Sequence, residues 1–438
     1  MSSSVIFLHL WNLNLKVLLA QASKDFSSVY GVLFPLPYAH SVGILGLRRA
    51  SKRRIAFRSY QERQLAQAYT HHKIPLFPFP SPNIQDLDKL LVWSPSKVVY
   101  QPTGGWEERQ FDRLIDRWGQ THGIEIVRVS PNTLIDKDEL PFDGEHIPRT
   151  FTPFRQGIET KPWSSYRFSS FSSPDRVDPA VAKELPEELQ GLEALGAPAR
   201  MAHWFSTTAP STYKETRNGM GPGEYSSKLS FWLSDGSLQA KVVGRRVLDY
   251  EKIHGANEST YWILFELLWR DFFFYLGQLV GPQTYFPSGF RSRRSPGLVD
   301  SYPWTYKSQP PEPRYREDFV RWIRGETGQD LVDAGMKELS NRGTLSNRLR
   351  QCVASFLIYD LALPWWWGAA WFEYALLDYD PDSNWGNWAY LAGVGADPRP
   401  SRRFDLEKQA RTYDPDGAYR RWVTEQNWPP AWEEVFNG

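Results

Sequence analysis

Residues 378–397, DYDPDSNWGNWAYLAGVGAD, constrain this chain more than any other stretch. They hold four acids, two Asn, two Trp, two Tyr and three Gly. A plain apolar core has no use for Asp378, Asp380 and Asn384 beside Trp385 and Trp388. Acids among large aromatics must find hydrogen-bond partners or lose their charge. One reading is a wall for a planar ligand with polar edges and rings to stack on. The other is a loop between two core helices with its acids in water. Composition leaves both open.

The chain has 438 residues, enough for two or three domains with substantial cores. A formal net charge of +1 gives no global attraction to nucleic acid, so any such surface is a local patch. The single cysteine, Cys352, excludes an intrachain disulfide framework. It fits an intracellular, reducing compartment, cytoplasm or nucleus, with an organelle left open. Twenty tryptophans suggest aromatic ligands or stacking surfaces, or else an aromatic-rich helical core. The longest apolar run, 361–372, contains Pro364 and is short of the ~20 residues a spanning helix needs, so no membrane span is expected. The opening VIFLHLWNLNLKVLLA reads as a buried strand and its continuation, not a signal peptide.

Taken in order, residues 5–10, 29–34 and 124–129 read as short strands, and 90–93 and 97–100 as further short elements. Residues 53–68 and 107–120 read as helices between them, the second with Phe111, Leu114, Ile115 and Trp118 on one face. Alternating strands and helices predict a parallel α/β domain over residues 1–143. Residues 144–200, rich in Ser, Pro and Glu in their later part, predict a linker. From 201 to 438 long aromatic helices predict an all-helical domain. The clearest helix is 259–279, with Trp262, Phe265, Trp269, Phe272, Phe273 and Leu276 as its apolar stripe.

Three further stretches carry chemistry. Gly219, Gly221, Pro222 and Gly223 force a turn ahead of Ser226, Ser227 and Ser230, which open a helical pattern. Hydroxyls there are either an anion site or ordinary helix caps. In residues 263–276, Glu266, Trp269 and Phe273 share a face, and Arg270 stands four residues after Glu266. That is either a site face or an i,i+4 ion pair on a core helix. Asn347 and Arg350 sit in the third, residues 346–361.

SNWGNWAYLAGVGADPR (383–399) followed by RRFDLEKQARTYDPDGAYRRWV (402–423) resembles the C-terminal signature of the photolyase/cryptochrome family, in its DASH type. The resemblance implies an N-terminal Rossmann-like antenna domain and a C-terminal helical domain that binds FAD. On it, Tyr225, Ser226, Ser227, Leu229 and Ser230 fall on the flavin-diphosphate loop. Arg270, Asn347 and Arg350 approach the flavin, and Arg350 pairs with Asp378 across its ring. Asn384 faces flavin N5, and Asp380 meets the other polar edge. Glu266 and Trp269 line the cavity for an extruded pyrimidine dimer. Gln351 and Tyr390 make that cavity more polar than in classical photolyases, which directs the protein to single-stranded or looped DNA. Trp388 and Trp365 match the proximal and middle members of an electron-transfer chain. Trp304 is the nearest candidate for its surface member and Trp322 another.

The activity so implied is blue-light-driven electron transfer from reduced FAD to cyclobutane pyrimidine dimers, mainly in single-stranded DNA, by a monomer. A photoreceptor with little repair, and a degenerate relative that binds a partner protein, are the other two readings. The family's antenna pigment, often a folate such as methenyltetrahydrofolate, sits between the domains. Here Trp11, Asn12 and Asn14 replace the usual strand-end charges, and residues 33–56 carry a Lys/Arg cluster instead of a Gly-Pro turn. Neutral amides cannot replace charge-assisted bonds, so the expectation is a loosened cleft and a pigment held weakly or not at all.

Overall fold

The computed structural model describes residues 4–20, 28–35, 46–80, 84–144, 146–169, 197–221, 223–290, 313–397 and 402–428, with Ser41, Gly43 and Arg399 besides. Strands β1 (Ser4–His9), β2 (Ser28–Leu33), β3 (Leu76–Pro78), β4 (Pro95–Tyr100) and β5 (Glu125–Arg128) form one sheet in the order β3-β2-β1-β4-β5. All four pairings are parallel. Central β1 is buried along its whole length, so it reads as a continuous apolar run rather than an alternating one. Helix α1 (Lys52–His71) connects β2 to β3, and helix α2 (Trp106–His122) connects β4 to β5. Phe111, Ile115 and Trp118 on α2 are buried, as their spacing predicts. The three-residue edge strand β3 was not legible, because nothing in LFP separates a strand from a loop.

Within the stretch read as linker, helix α3 (Phe151–Ile158) packs Phe151, Phe154 and Ile158 into the core of the helical part. Residues 170–196 of that stretch lie outside the described residues. Helix α4 (Ala197–Phe205) follows, and then helix α5 (Glu258–Val280), capped by Asn257. The apolar stripe expected on α5 is too narrow. Leu264, Leu267, Leu268, Phe272 and Tyr275 are buried on several sides, while Trp262, Phe265 and Trp269 are only partly covered. The helix runs through the core rather than along its surface.

The helical part meets the sheet at the carboxyl ends of its strands, where open α/β sheets leave a crevice. Asn12 Nδ2 donates to the carbonyls of Gln101 and Pro102 (3.1 and 3.2 Å). Leu13 N donates to Asp235 O (2.8 Å), and Asn14 Nδ2 to Gly236 O (3.1 Å). Gly236 has φ +75°, and a Cβ there would stand 2.0 Å from Asn12 Oδ1. Asn14 and the Leu13 N–H thus bridge to residues 235–236, while Asn12 ties the end of β1 to residues 101–102 within the α/β domain. They hydrogen-bond carbonyls, a task for which a neutral amide is well suited.

A second seam joins residues 132–135 to α5. Asp271 is fully buried and accepts the N–H groups of Leu134 (2.9 Å) and Ile135 (2.8 Å). Tyr275 donates its hydroxyl to Ile135 O (2.7 Å). Burial raises the Asp271 carboxyl to about 7, against the opposing pull of those N–H groups and of Arg270. A carboxyl raised on folding stabilises the fold below its unfolded pKa, and that contribution is lost as pH climbs through about 7. Unfolding free energy should therefore fall between pH 5 and pH 8, and Asp271→Asn should flatten that fall. Asp271→Ala leaves two buried N–H groups bare and should cost about 2–5 kcal/mol. Denaturant melts at the two pH values check both.

Candidate functional site

The site is a cavity of about 430 Å³ in the helical part. Helices α6 (Asp330–Arg342), α7 (Asn347–Ser355), α8 (Trp365–Ala375) and α9 (Pro381–Leu391) supply much of its wall. Each begins for a local reason: Gln329, Ser346 and Asp380 cap α6, α7 and α9 with their side chains, and Pro364 precedes α8. Glu266, Glu338, Asp378 and Asp380 line the cavity, as do Arg200, Arg217, Lys228, Arg342, Arg350 and Arg402.

The polar pair in its middle is Arg350 and Asp378. Arg350 Nη2 bridges both Asp378 oxygens (2.9 and 2.8 Å), and its Nε donates to Leu345 O (2.9 Å). Asp378 is buried, so the pair is the condition on which either charge stays at the wall. Asn384 donates Nδ2 to Ala369 O (3.0 Å), which leaves its Oδ1 for the cavity.

At another end stands the loop of Tyr225, Ser226, Ser227, Leu229 and Ser230, all of which line the cavity. The helix after it is only five residues long, Ser230–Ser234, so its dipole contributes little. Arg200 on α4 shapes the loop instead. It donates to Ser227 O (2.9 Å) and Ser226 O (3.2 Å) and pairs with Glu224 through both terminal nitrogens (2.9 and 2.5 Å). The hydroxyls of Ser226, Ser227 and Ser230 make no hydrogen bond to any described residue. Lys228, between them, takes a left-handed φ of +54°, and burial lowers its pKa.

Glu266 and Arg217 form a 2.5 Å ion pair at the wall. Burial raises the Glu266 pKa, and Arg217 opposes the shift. The i,i+4 partnership with Arg270 is not formed. Arg270 turns away to the carbonyls of Asn132 and Leu233 and stands 3.8 Å from Asp380 Oδ2. It stands behind Asp380, which lines the cavity, and is not itself part of the lining. Trp269 is also set back: it stacks on Phe151 (3.7 Å, 10°) and meets the edge of Tyr390 (5.6 Å). Tyr390 itself lines the cavity, under the Arg402 guanidinium at 4.2 Å, with Arg402 also bonded to its hydroxyl and to Asp397. Asn347 and Gln351 line it as well, and Gln351 accepts from Arg348 (3.0 Å).

Of the tryptophans, Trp388 lines the cavity and has ring contacts with Phe372 (5.0 Å) and Trp322 (6.3 Å). Trp365 contacts Trp366 (6.1 Å) and Trp385 (6.0 Å), not the ring of Trp388. Trp322 is fully buried, so it is no surface member of a chain, and Trp304 lies outside the described residues.

Sequence reasoning missed Arg200, Arg217 and Arg402. For Arg217 and Arg402 the signal was there, in the TRN before the glycine turn and in the RRF after 397–401. It also missed Phe57 and Tyr60, which come from α1 in the other domain and still line this cavity. No local pattern marks them.

Residues 262–432 match the family model of the FAD binding domain of DNA photolyase. Cryptochrome DASH of Gloeobacter violaceus is 40% identical over 321 residues, covering 68% of this chain and 61% of that protein. Cryptochrome DASH of Synechocystis is 38% identical over 351 residues, 75% of this chain and 68% of that protein. This match thus spans about three-fifths to two-thirds of the relatives' length. The crystal structure of a Synechocystis cryptochrome superposes with a TM-score of 0.81 at 30% identity, over 99% of this chain and 91% of that one. A class III photolyase from Agrobacterium tumefaciens shares the fold, with a TM-score of 0.75 at 22% identity. The chain belongs to the photolyase/cryptochrome family of flavoproteins, in its DASH cryptochrome branch.

The residues fit FAD. Three unpartnered hydroxyls suit a diphosphate, aromatic walls at Trp388 and Phe372 suit a flat ring, and Arg350, Asp378 and Asn384 suit its polar edges. Asp378→Asn removes the counter-charge of Arg350. Charge-assisted bonds are worth roughly 1.5–3 kcal/mol, so flavin retention should fall roughly ten- to a hundredfold. Equilibrium dialysis against FAD checks this, and wild-type affinity in the variant would refute the pairing's role.

Proposed function

We propose that this protein holds FAD through Ser226, Ser227, Ser230, Arg350, Asp378, Asp380 and Asn384 and reverses cyclobutane pyrimidine dimers in single-stranded or looped DNA. The observation that carries this reading is that one cavity unites those residues with Glu266, Asn347, Gln351 and Tyr390. When bound, reduced and lit, FAD supplies the electron that opens the dimer. Burial raises the Glu266 pKa, so uptake of a proton as negative charge develops on a dimer carbonyl would let Glu266 donate a hydrogen bond to it. Arg217 anchors it and adds a cation to the same wall. Tyr390 and Gln351 give the extruded bases a polar bed, which stabilises them less than apolar stacking. Substrates whose bases are already unstacked are therefore favoured.

The test is illumination of the FAD-loaded, reduced protein with a dimer-bearing single-stranded oligonucleotide. Glu266→Gln should slow repair roughly ten- to a hundredfold with flavin content unchanged. Wild-type rates in that variant would refute the role of Glu266. A wild-type protein that photoreduces its flavin and repairs nothing would favour the photoreceptor reading.

A second chromophore is the remaining question, and we propose that no folate is held stoichiometrically. A cavity at the domain junction, lined by Trp11, Arg49, Arg54, Glu108, Glu373 and Tyr379 among others, measures about 70 Å³. Ordinary ligand pockets run to about 300–1,000 Å³. The ground for this reading is thus a charge-filled cleft, not a loosened one. Reconstitution with methenyltetrahydrofolate should add no saturable near-ultraviolet band. Stoichiometric uptake with energy transfer to the flavin would overturn it.

A further inference from the structure

The Lys/Arg cluster at the start of α1 has so far been given no task. Two of its members leave the α/β domain and enter the helical part. Arg49 pairs with Glu107 on α2 (2.6 Å) and with Glu373 on α8 (2.7 Å). Arg54 donates Nη1 to Glu373 O (2.6 Å) and Arg49 O (3.0 Å), and its guanidinium lies 4.4 Å from the centre of the Tyr379 ring. Tyr379 lines both the large cavity and the small one at the domain junction, and so does Phe57, one turn along α1 from Arg54. Tyr60 follows on the same wall of the large cavity.

We propose that α1 is the wall through which the α/β domain sets the redox poise of the flavin, with Arg54 acting through Tyr379 as a positioning residue. The inference rests on the FAD reading above. Glu107 and Glu373 both spend their carboxylates on Arg49. Arg54 takes only carbonyl oxygens and a ring face, so no carboxylate pairs with it directly. Glu108, which also faces this region, is raised to about 8 by burial and by Glu107, and at neutral pH it is mostly uncharged. The two guanidiniums and the two carboxylates cancel in number, and Arg54 is the member that lies on the Tyr379 ring, so losing its charge leaves the wall behind Tyr379 net negative, in a low-dielectric setting where screening is weak. Positive potential beside a flavin favours its reduced, anionic form.

The experiment measures the flavin midpoint potential by spectroelectrochemistry in FAD-loaded wild type, Arg54→Gln, Arg54→Lys and Glu373→Gln, with the melting temperature of each apo-protein alongside. Arg54→Gln should shift the potential down. Arg54→Lys should return it toward wild type, although Lys cannot reproduce the forked hydrogen bonds and should melt as early as the Gln variant. Glu373→Gln removes a negative charge from the same cluster and should shift the potential up. A merely structural Arg54 would lower melting temperatures and leave the potentials together. Equal potentials in all four proteins, or equal shifts in the Gln and Lys variants, overturn the inference. If Arg54→Gln fails to hold flavin, the upward shift in Glu373→Gln decides alone. A wild-type protein that takes up no flavin would instead sink the proposed function.

Discussion

One guanidinium holds the architecture to account. Arg49 reaches Glu107 on α2 and Glu373 on α8, so a single buried cation is shared by the two parts of the chain. Its side chain is 11% exposed and that of Glu373 5%, so water can relieve neither. Removing Arg49 takes the cation from both carboxylates, the buried Glu373 among them, which is far costlier than never burying the pair. The triad therefore admits one docking geometry. Ser51 N donates to Tyr374 O (2.9 Å) beside it, and α1 is delivered with Phe57 and Tyr60 against the large cavity.

That docking changes what the cavity is. It is a joint product of both parts, with α1 on one wall and α6 to α9 on others. Close backbone approach helps to build it. A Cβ at Gly368 would stand 2.2 Å from the Trp388 ring, so only glycine lets α8 and α9 come together there. Trp388 can then be core and cavity wall at once. Cations and acids alternate around the lining, and most acids have a named partner: Arg350 for Asp378, Arg217 for Glu266, Tyr419 for Glu338. A ligand with both polar edges and flat faces is what such a lining accommodates.

Domain-interface acids add a pH dependence to this picture. Burial raises Asp271 to about 7, Glu108 to about 8, and Asp235 and Asp382 to about 6. All four shift in the same direction, so the junction tightens as protons are added across the neutral range.

The sequence by itself determined most of the elements and part of the lining. Short apolar runs bounded by turns fit central parallel strands, the spacing of Phe111, Ile115 and Trp118 fits a helix face, and the DYDPDSNWGNW run puts Asp378 and Asp380 just ahead of α9 and Asn384 and Trp388 on it. Such patterns are local, and local sterics and hydrogen bonding decide them. Partner choice is not local. Arg270 was legible as a cation near a site, yet it bonds the carbonyls of Asn132 and Leu233, and Glu266 is paired with Arg217 instead. Trp269 yielded its place on the cavity to Tyr390 because Phe151, from a stretch that read as linker, offered a full stacking face. Asn12 and Asn14 read as lost charges, yet both found carbonyls: Asn12 those of Gln101 and Pro102 within the α/β domain, Asn14 that of Gly236 across the interface. Only the tertiary structure could decide these, since a side chain's partner is set by which elements arrive within about 3 Å of it, and arrival is a property of the whole packing.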